Sequence, residues 1–423
     1  MKIQSTLPPT AASVPLGRLA SGLAALLWSN GHRERLEKEL RETFQVQYVF
    51  LLSSGKAALT LILQGLRRVS GRRKVIIPAY TCFSVPSAVV KAGLEVVPCD
   101  VNPETLDFDL EQMARTIDEK TLCVLPTHLF GNPADVDSVL DLCMPQGIIV
   151  VEDAAQAMGG VSKGRRLGTI GDIGLFSLGR GKNISSGGGG VIVTNSLPLA
   201  NAIREEYETL HTESRWKAGK NLLELAATEL LIRPKCYWLP AGLPFLGLGE
   251  TRFYRDFPVE QMSDARAATL RGWSVRLKAA NNQRRQQAAK FIQQLIALVP
   301  EAKVVTSSES VCLRLPILVY DRTAKCALAS RSAALGLGLS GCYPSTIQEI
   351  PELQGQLPAR EFPGASEVVN RLMTLPTHQF VRPEERQRIC RAIAEVNAMG
   401  AATVPTRTDG PHSSSAMGAL FRT

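Results

Sequence analysis

Residues 147–156 read GIIVVEDAAQ. Four consecutive β-branched residues, Ile148–Val151, have the composition of a strand buried on both faces. The run stops at Glu152 and Asp153, and Ala154 and Ala155 follow as a turn of small residues. In open α/β sheets, ligands gather outside the carboxyl ends of the strands. A carboxylate at this point can therefore reach a bound molecule. The competing explanation is an aspartate that only caps the next helix.

Working outward, short apolar runs recur at Tyr48–Leu52, Val75–Ile77, Val96–Pro98, Leu122–Pro126, Ile173–Phe176 and Val191–Thr194. Most are separated by enough chain for a crossover helix, and residues 33–44 place Leu36, Leu40 and Phe44 on one helical stripe. This alternation predicts an α/β fold, with a large domain on a mixed, mainly parallel sheet. Residues 200–300 are helical in character, with Gln283–Leu295 as one long helix. Strand-like runs return near 310–320 and 372–376, before a helix at Pro383–Val396, the pattern of a smaller C-terminal α+β domain. The expected division is an N-terminal segment 1–30, a large domain 31–250, a linking helix and small domain 251–400, and a disordered tail 401–423 rich in Thr, Ser and Gly. A chain of 423 residues exceeds what one hydrophobic core supports, which agrees with two domains.

Composition narrows the function classes. Hydrophobic residues make up 45% of the chain, enough for a folded protein rather than a disordered one. The nine cysteines are odd in number and form no CxxC pair, which suggests reduced thiols in a cytoplasmic protein and no zinc site. No stretch has the form of a secretion signal or a spanning helix. The net charge of +9 raises nucleic-acid binding as an alternative, and Arg67, Arg68, Arg72, Arg73 and Lys74 cluster. That cluster joins a helix to a strand, and no nucleic-acid motif accompanies it, so a solvated connection is preferred. A mild basic excess also suits an enzyme with phosphate-bearing ligands.

The residues after two other runs carry chemistry. Ser53-Ser54-Gly55-Lys56-Ala57 opens a helix after Tyr48–Leu52. Free N–H groups and the helix dipole make such a turn a phosphate cup. Ser177-Leu178-Gly179-Arg180-Gly181-Lys182 follows Ile173–Phe176, and Gly187–Gly190 lets backbone and ligand approach closely. An amine to form a Schiff base, a carboxylate for a pyridine nitrogen and a phosphate cup are together what pyridoxal 5'-phosphate (PLP) chemistry requires.

The chain resembles the DegT/DnrJ/StrS family of fold-type-I PLP sugar aminotransferases. The matching stretches are SSGKAAL (53–59), residues 78–109, LPTHLFGNPADVD (125–137), VEDAAQAMGG (151–160) and GTIGDIGLFSLGRGKNISSGGGG (168–190), with weaker continuation through MSDARAA (262–268), CYPS (342–345) and residues 362–378. The resemblance implies that Lys182 carries the cofactor and shuttles the proton, and that Asp153 pairs with the pyridinium nitrogen. It puts Gln156 near the phenolic oxygen, and Gly55, Lys56, Ala57 and the Ser177 hydroxyl at the phosphate. It further implies a homodimer that transfers an amino group, usually from glutamate, to a keto group of a nucleotide-linked sugar. Two alternatives within the family are a PLP-dependent sugar dehydratase, in which the lysine is replaced by histidine, and a non-catalytic PLP-binding regulator. Neither is favoured by the intact Asp153, Gln156, Ser177 and Lys182.

Three departures stand out. Cys82 occupies the place of a ring-stacking aromatic, Val259 and Gln261 replace an Asn and an Arg, and Gly188 replaces a glutamate. His128 and His378 are read as structural, and Arg180 as a candidate for an anionic substrate group. Residues 222–248 are unusually apolar. Packing against the small domain is preferred for them over a substrate-facing or peripheral membrane-facing insertion.

Overall fold

A computed structural model of the chain describes residues 5–28, 31–243, 251–299, 303–357 and 360–402. Helices α1 (Leu16–Leu27) and α2 (His32–Phe44) precede the first strand, β1 (Tyr48–Leu52). Then follow α3 (Gly55–Val69), β2 (Lys74–Pro78), α4 (Ser84–Lys91), β3 (Glu95–Cys99), α5 (Leu110–Thr116), β4 (Thr121–Val124), α6 (Val136–Cys143) and β5 (Ile149–Asp153). A two-residue hairpin, β6 (Val161–Ser162) and β7 (Arg165–Arg166), leads to β8 (Ile173–Ser177) and β9 (Gly190–Thr194).

Each of the seven apolar runs is a strand of one sheet, in the order β1-β9-β8-β5-β4-β2-β3. Strands β8, β5, β4, β2 and β3 pair in parallel, whereas β9 pairs antiparallel with both β8 and β1. The sheet is thus mixed and mainly parallel, as expected. Its central strands are Val, Ile and Leu rich because helices cover both faces. One core layer lies between the sheet and α3 and α4, and another packs α2, Trp273 and Leu277 on the opposite face.

The chain continues through α7 (Leu197–Glu208), α8 (Arg215–Leu231), α9 (Pro234–Ala241), α10 (Asp264–Thr269) and the long α11 (Trp273–Leu298). A separate sheet of β10 (Lys303–Val304), β11 (Arg314–Leu318) and β12 (Leu372–Pro376) is antiparallel throughout. With α12 (Arg322–Leu335), α14 (Pro383–Ala402) and the second half of α11 it forms its own hydrophobic cluster, whereas α13 (Pro363–Arg371) packs through Ala365 and Val368 against Tyr80 and Val101 of the large domain. Among the described residues, no helix is long and apolar enough to cross a membrane.

The apolar insertion departs from expectation. Leu222 and Leu225 of α8 are buried, but against α1 and α10 rather than against the small sheet. Leu223 and Leu230 remain exposed. Helix α9 approaches the small domain, where the charge of Arg314 acts on Tyr237. Residues 244–248 of that stretch, and 403–423 of the expected tail, lie outside the described residues.

Residues 5–14 act as a strap. Leu7 N–H bonds the Gly336 carbonyl, Thr10 Oγ1 donates to the Gly181 carbonyl at 3.0 Å, and Val14 N–H donates to Glu229 at 2.7 Å. The buried His378 ring donates from Nε2 to the Pro8 carbonyl at 2.8 Å and accepts the Phe380 N–H at Nδ1, so it is neutral. Burial pulls its pKa from 6.5 down to about 4. An unfolded chain binds a proton here that the folded chain excludes, so this contribution to stability is complete above pH 6.5 and is lost as pH falls toward 4. The difference is about 3 kcal/mol. Urea denaturation between those limits should show the wild type losing stability with acidification, and His378→Gln should flatten that slope.

Candidate active site

The site begins at the end of β5. Successive strand residues point to opposite sides, so Glu152 and Asp153 serve different purposes. Glu152 is fully buried. Its Oε2 accepts the Gly168 N–H at 2.9 Å and faces His128 Nε2 at 2.9 Å, and its Oε1 accepts the N–H groups of Gly171 (2.6 Å) and Ile170. His128 Nδ1 accepts the Ala134 N–H at 2.9 Å, so its proton is on Nε2 and points at Glu152. The histidine is structural, as expected. Together these bonds hold the loop after β4 and the loop before β8 to the end of β5.

Asp153 is buried and faces the other way. Burial raises its pKa, opposed by the Ala155 N–H bond and by the charge of Lys182. Among the described residues its carboxylate accepts one hydrogen bond, from Ala155 N–H to Oδ1 at 3.0 Å, which leaves Oδ2 open. This oxygen is not buried without a partner, so it borders accessible space where a protonated group on a ligand could meet it. Gln156 accepts the Phe130 N–H at 3.2 Å and donates from Nε2 to the Tyr343 hydroxyl at 2.9 Å. Tyr343 comes from the small domain and packs on Tyr80 with ring centroids 5.3 Å apart. Burial raises its pKa, and the neighbouring Cys82 and Asp153 push the same way. Cys82, whose sulfur acts on both Tyr343 and Lys56, is therefore at the site.

The cup is the start of α3. Ser54 Oγ caps the helix by accepting the Ala57 N–H at 3.1 Å. The Ala57 N–H, expected at the phosphate, is directed to this cap. The N–H groups of Gly55 and Lys56 have no partner within the helix and point outward. A Cβ on Gly55 would lie 3.0 Å from both Cβ and Oγ of Ser177, so only glycine lets the helix end and the β8 end meet this closely. The Lys56 amine turns aside, between the rings of Tyr254 (4.6 Å) and Phe257 (4.5 Å), and desolvation lowers its pKa. Lys182 lies on the loop after Ser177, with its N–H on the Gly179 carbonyl at 3.3 Å and its carbonyl held by Arg284. Arg180 pairs with Glu224 at 2.6 Å, both side chains being nearly half exposed.

An open oxygen on a buried carboxylate, a lysine near it and two outward N–H groups at a helix start fit the pyridine nitrogen, the aldehyde and the phosphate of PLP. The model of the DegT/DnrJ/EryC1/StrS aminotransferase family matches residues 19–394. The chain belongs to this family.

Among curated relatives, GDP-perosamine synthase of Vibrio cholerae is 34% identical over 163 residues, 38% of this chain. That match spans only 44% of the relative's length. The dTDP-3-amino-3,4,6-trideoxy-alpha-D-glucose transaminase of Streptomyces venezuelae is 26% identical and covers 86% of each chain. Among solved structures, Helicobacter pylori PseC, an aminotransferase involved in the biosynthesis of pseudoaminic acid, superposes with a TM-score of 0.76. It shares 15% identity and covers 93% of this chain and 100% of its own, a likeness of fold.

The departures have physical counterparts in this family member. The ideal Cβ position of Gly188 is 2.5 Å from Arg266 Nη1, so a side chain there would require the guanidinium to shift. The missing carboxylate is supplied by Glu213, buried and paired with Arg266 at 2.6 Å. Gln261 accepts from Arg33 at 3.0 Å, so a cation reaches its position from α2 instead. Sequence reasoning missed Glu152, Tyr343 and Glu213. Position 152 stood beside Asp153 as a second strand-end carboxylate, which was the available signal. Tyr343 and Glu213 are too distant in sequence to be paired with the site by spacing. Tyr343→Phe should leave the Gln156 amide nitrogen without its acceptor and cost about 1–3 kcal/mol. Urea denaturation of Tyr343→Phe, Gln156→Leu and the double variant should give a double-mutant cost well below the sum of the singles.

Proposed function

We propose that this chain is a PLP-dependent aminotransferase that moves an amino group, with glutamate as donor, onto a keto carbon of a nucleotide-linked sugar, and that it works as a cytoplasmic homodimer. The observation that carries the reading is the buried Asp153 with one open carboxylate oxygen, beside Lys182 and the start of α3. When bound, PLP supplies the electron sink that makes the substrate's C–H bond acidic. The chain's own residues do the rest. Asp153 keeps a proton on the ring nitrogen, which a buried anion with an open acceptor stabilises. Gly55, Lys56 and Ser177 would hold the phosphate, and Lys182 would hold the aldehyde carbon and then move the proton between donor and acceptor carbons.

Substrate enters in this reading by a cleft of about 410 Å3 on the small-domain side, where Tyr343 meets Cys342, Ser345, Arg322 and Lys325. The two cations suit a sugar diphosphate. The dehydratase reading is disfavoured by Lys182 itself, because a histidine would stand in its place. The regulatory reading is disfavoured by the joint presence of Asp153, Ser177 and Lys182.

Incubating the PLP-loaded protein with glutamate and a panel of nucleotide keto-sugars should yield an amino sugar by mass spectrometry. No product from any of them, with PLP bound, would support the regulator instead. Asp153→Asn should keep the fold and lose most turnover, since the pyridine would no longer be held protonated. Lys182→Ala should lose more than the roughly 10²–10⁴-fold that a positioned base alone contributes, because it also loses the covalent hold. Borohydride reduction of the loaded wild type followed by peptide mapping should place the label on Lys182. A label on Lys56 or Lys163 would refute the assignment.

A further inference from the structure

Helices α1 and α8 lie antiparallel. Gly22 faces Leu222, Leu19 and Val14 cluster with Leu225, and Arg215 at the start of α8 bonds carbonyls at the end of α1. Both rest on α10 through Ala25, Ala218, Leu222, Ala265 and Ala268. The opposite face of each helix is also apolar. On α8, Trp216, Leu223 and Leu230 recur every seven residues, one stripe roughly 180° from the buried Leu225. On α1, Leu16, Leu23 and Leu27 form the matching stripe, and Trp28 follows. Trp216 is 83% exposed and Leu223 70%. Scattered exposed apolar residues need no explanation, but two aligned stripes with two tryptophans form a patch that does.

The charges around the patch are mainly positive, with Glu34 beside Leu27 and Arg215 as an exception. Lys220 and Lys235 are exposed and have no carboxylate within salt-bridge distance among the described residues. Arg215 and Arg233 flank them. Both acids of α8 have partners, Glu224 with Arg180 in a half-exposed pair and Glu229 with the Val14 N–H. A second copy is a poor occupant, since a two-fold contact sets the same patch against itself and brings like charges together. Exposed Leu and Trp with a basic fringe are the composition that binds an anionic lipid interface.

We propose that the α1–α8 face docks this protein on an anionic phospholipid membrane surface, with the leucine and tryptophan stripes in the interface and the basic residues at the headgroups. The inner side of α8 contacts the loop that bears Lys182. Leu225 approaches Gly187 to 3.5 Å from its ideal Cβ position, and Glu224 holds Arg180. The docked face is therefore rigidly joined to the proposed site, although the proposal does not depend on turnover.

Flotation tests it with the full-length protein. Vesicles of phosphatidylcholine and phosphatidylglycerol in about a 7:3 ratio should carry at least about tenfold more protein than phosphatidylcholine alone, and raised salt should release it. Leu23→Ser with Leu223→Ser, and separately Lys220→Glu with Lys235→Glu, should each cut binding at least about tenfold while sedimentation mass and circular dichroism stay at wild-type values. Since the wild-type lipid and salt dependence needs no variant, misfolding of either double variant leaves the test intact. Equal binding to both vesicle types, or none, would overturn the proposal. So would a fall in oligomer mass on changing the leucines without lipid, which would make the face a contact between copies.

Discussion

The buried carboxylate of Glu152 is the constraint on which the site depends. It has no solvent to stabilise its charge, so four donors must, and they come from two separate places in the chain: His128 after β4, and Gly168, Ile170 and Gly171 in the loop before β8. Leaving any of these donors unmet in a low-dielectric interior is costly. The ends of β4 and β5 and the entry to β8 are therefore fixed relative to one another. Asp153 is the next residue, and Lys182 lies five residues beyond the end of β8. The positions of the two residues proposed for chemistry follow from a neighbour that touches neither.

A second layer of constraint joins the small domain to this frame. Tyr343 reaches across to Gln156, and Asp100 at the end of the β3 region accepts the N–H groups of Gly364 and Ala365 at the start of α13. The N-terminal strap closes the arrangement from outside. It bonds the small domain at Gly336 and His378, the lysine loop at Gly181 and α8 at Glu229. Movement between the domains would break buried or partly buried hydrogen bonds at these points, so the small domain and the lysine loop are held in one register.

Substitutions at key family positions are balanced locally. A glycine at 188 makes room for Arg266, which then needs a carboxylate, and Glu213 provides one from the loop before α8, with Ser263 and Asn221 completing its hydrogen bonds. A buried charge pair persists only when its remaining groups are satisfied. The same loop leads directly into α8, so the altered ion pair and the apolar helix insertion are one structural unit.

The sequence by itself determined the seven strands, the mixed and mainly parallel sheet, and the strand-end residues Asp153, Ser177 and Lys182, because these depend on local composition and on the polarity of α/β units. Two of the three strands of the small sheet were legible as apolar runs, but its antiparallel pairing was not. Tertiary structure alone decided which strand-end carboxylate is held by the protein and which is left open. Glu152 and Asp153 are chemically equivalent in sequence, and only the opposite directions of their side chains separate them. It also decided that Arg180 is paired, that the Ala57 N–H is taken by Ser54, and that the leucines of α8 divide between a buried and an exposed face. Each of these outcomes depends on a partner far away in the chain, and residue type and spacing carry no information about a contact that only folding creates.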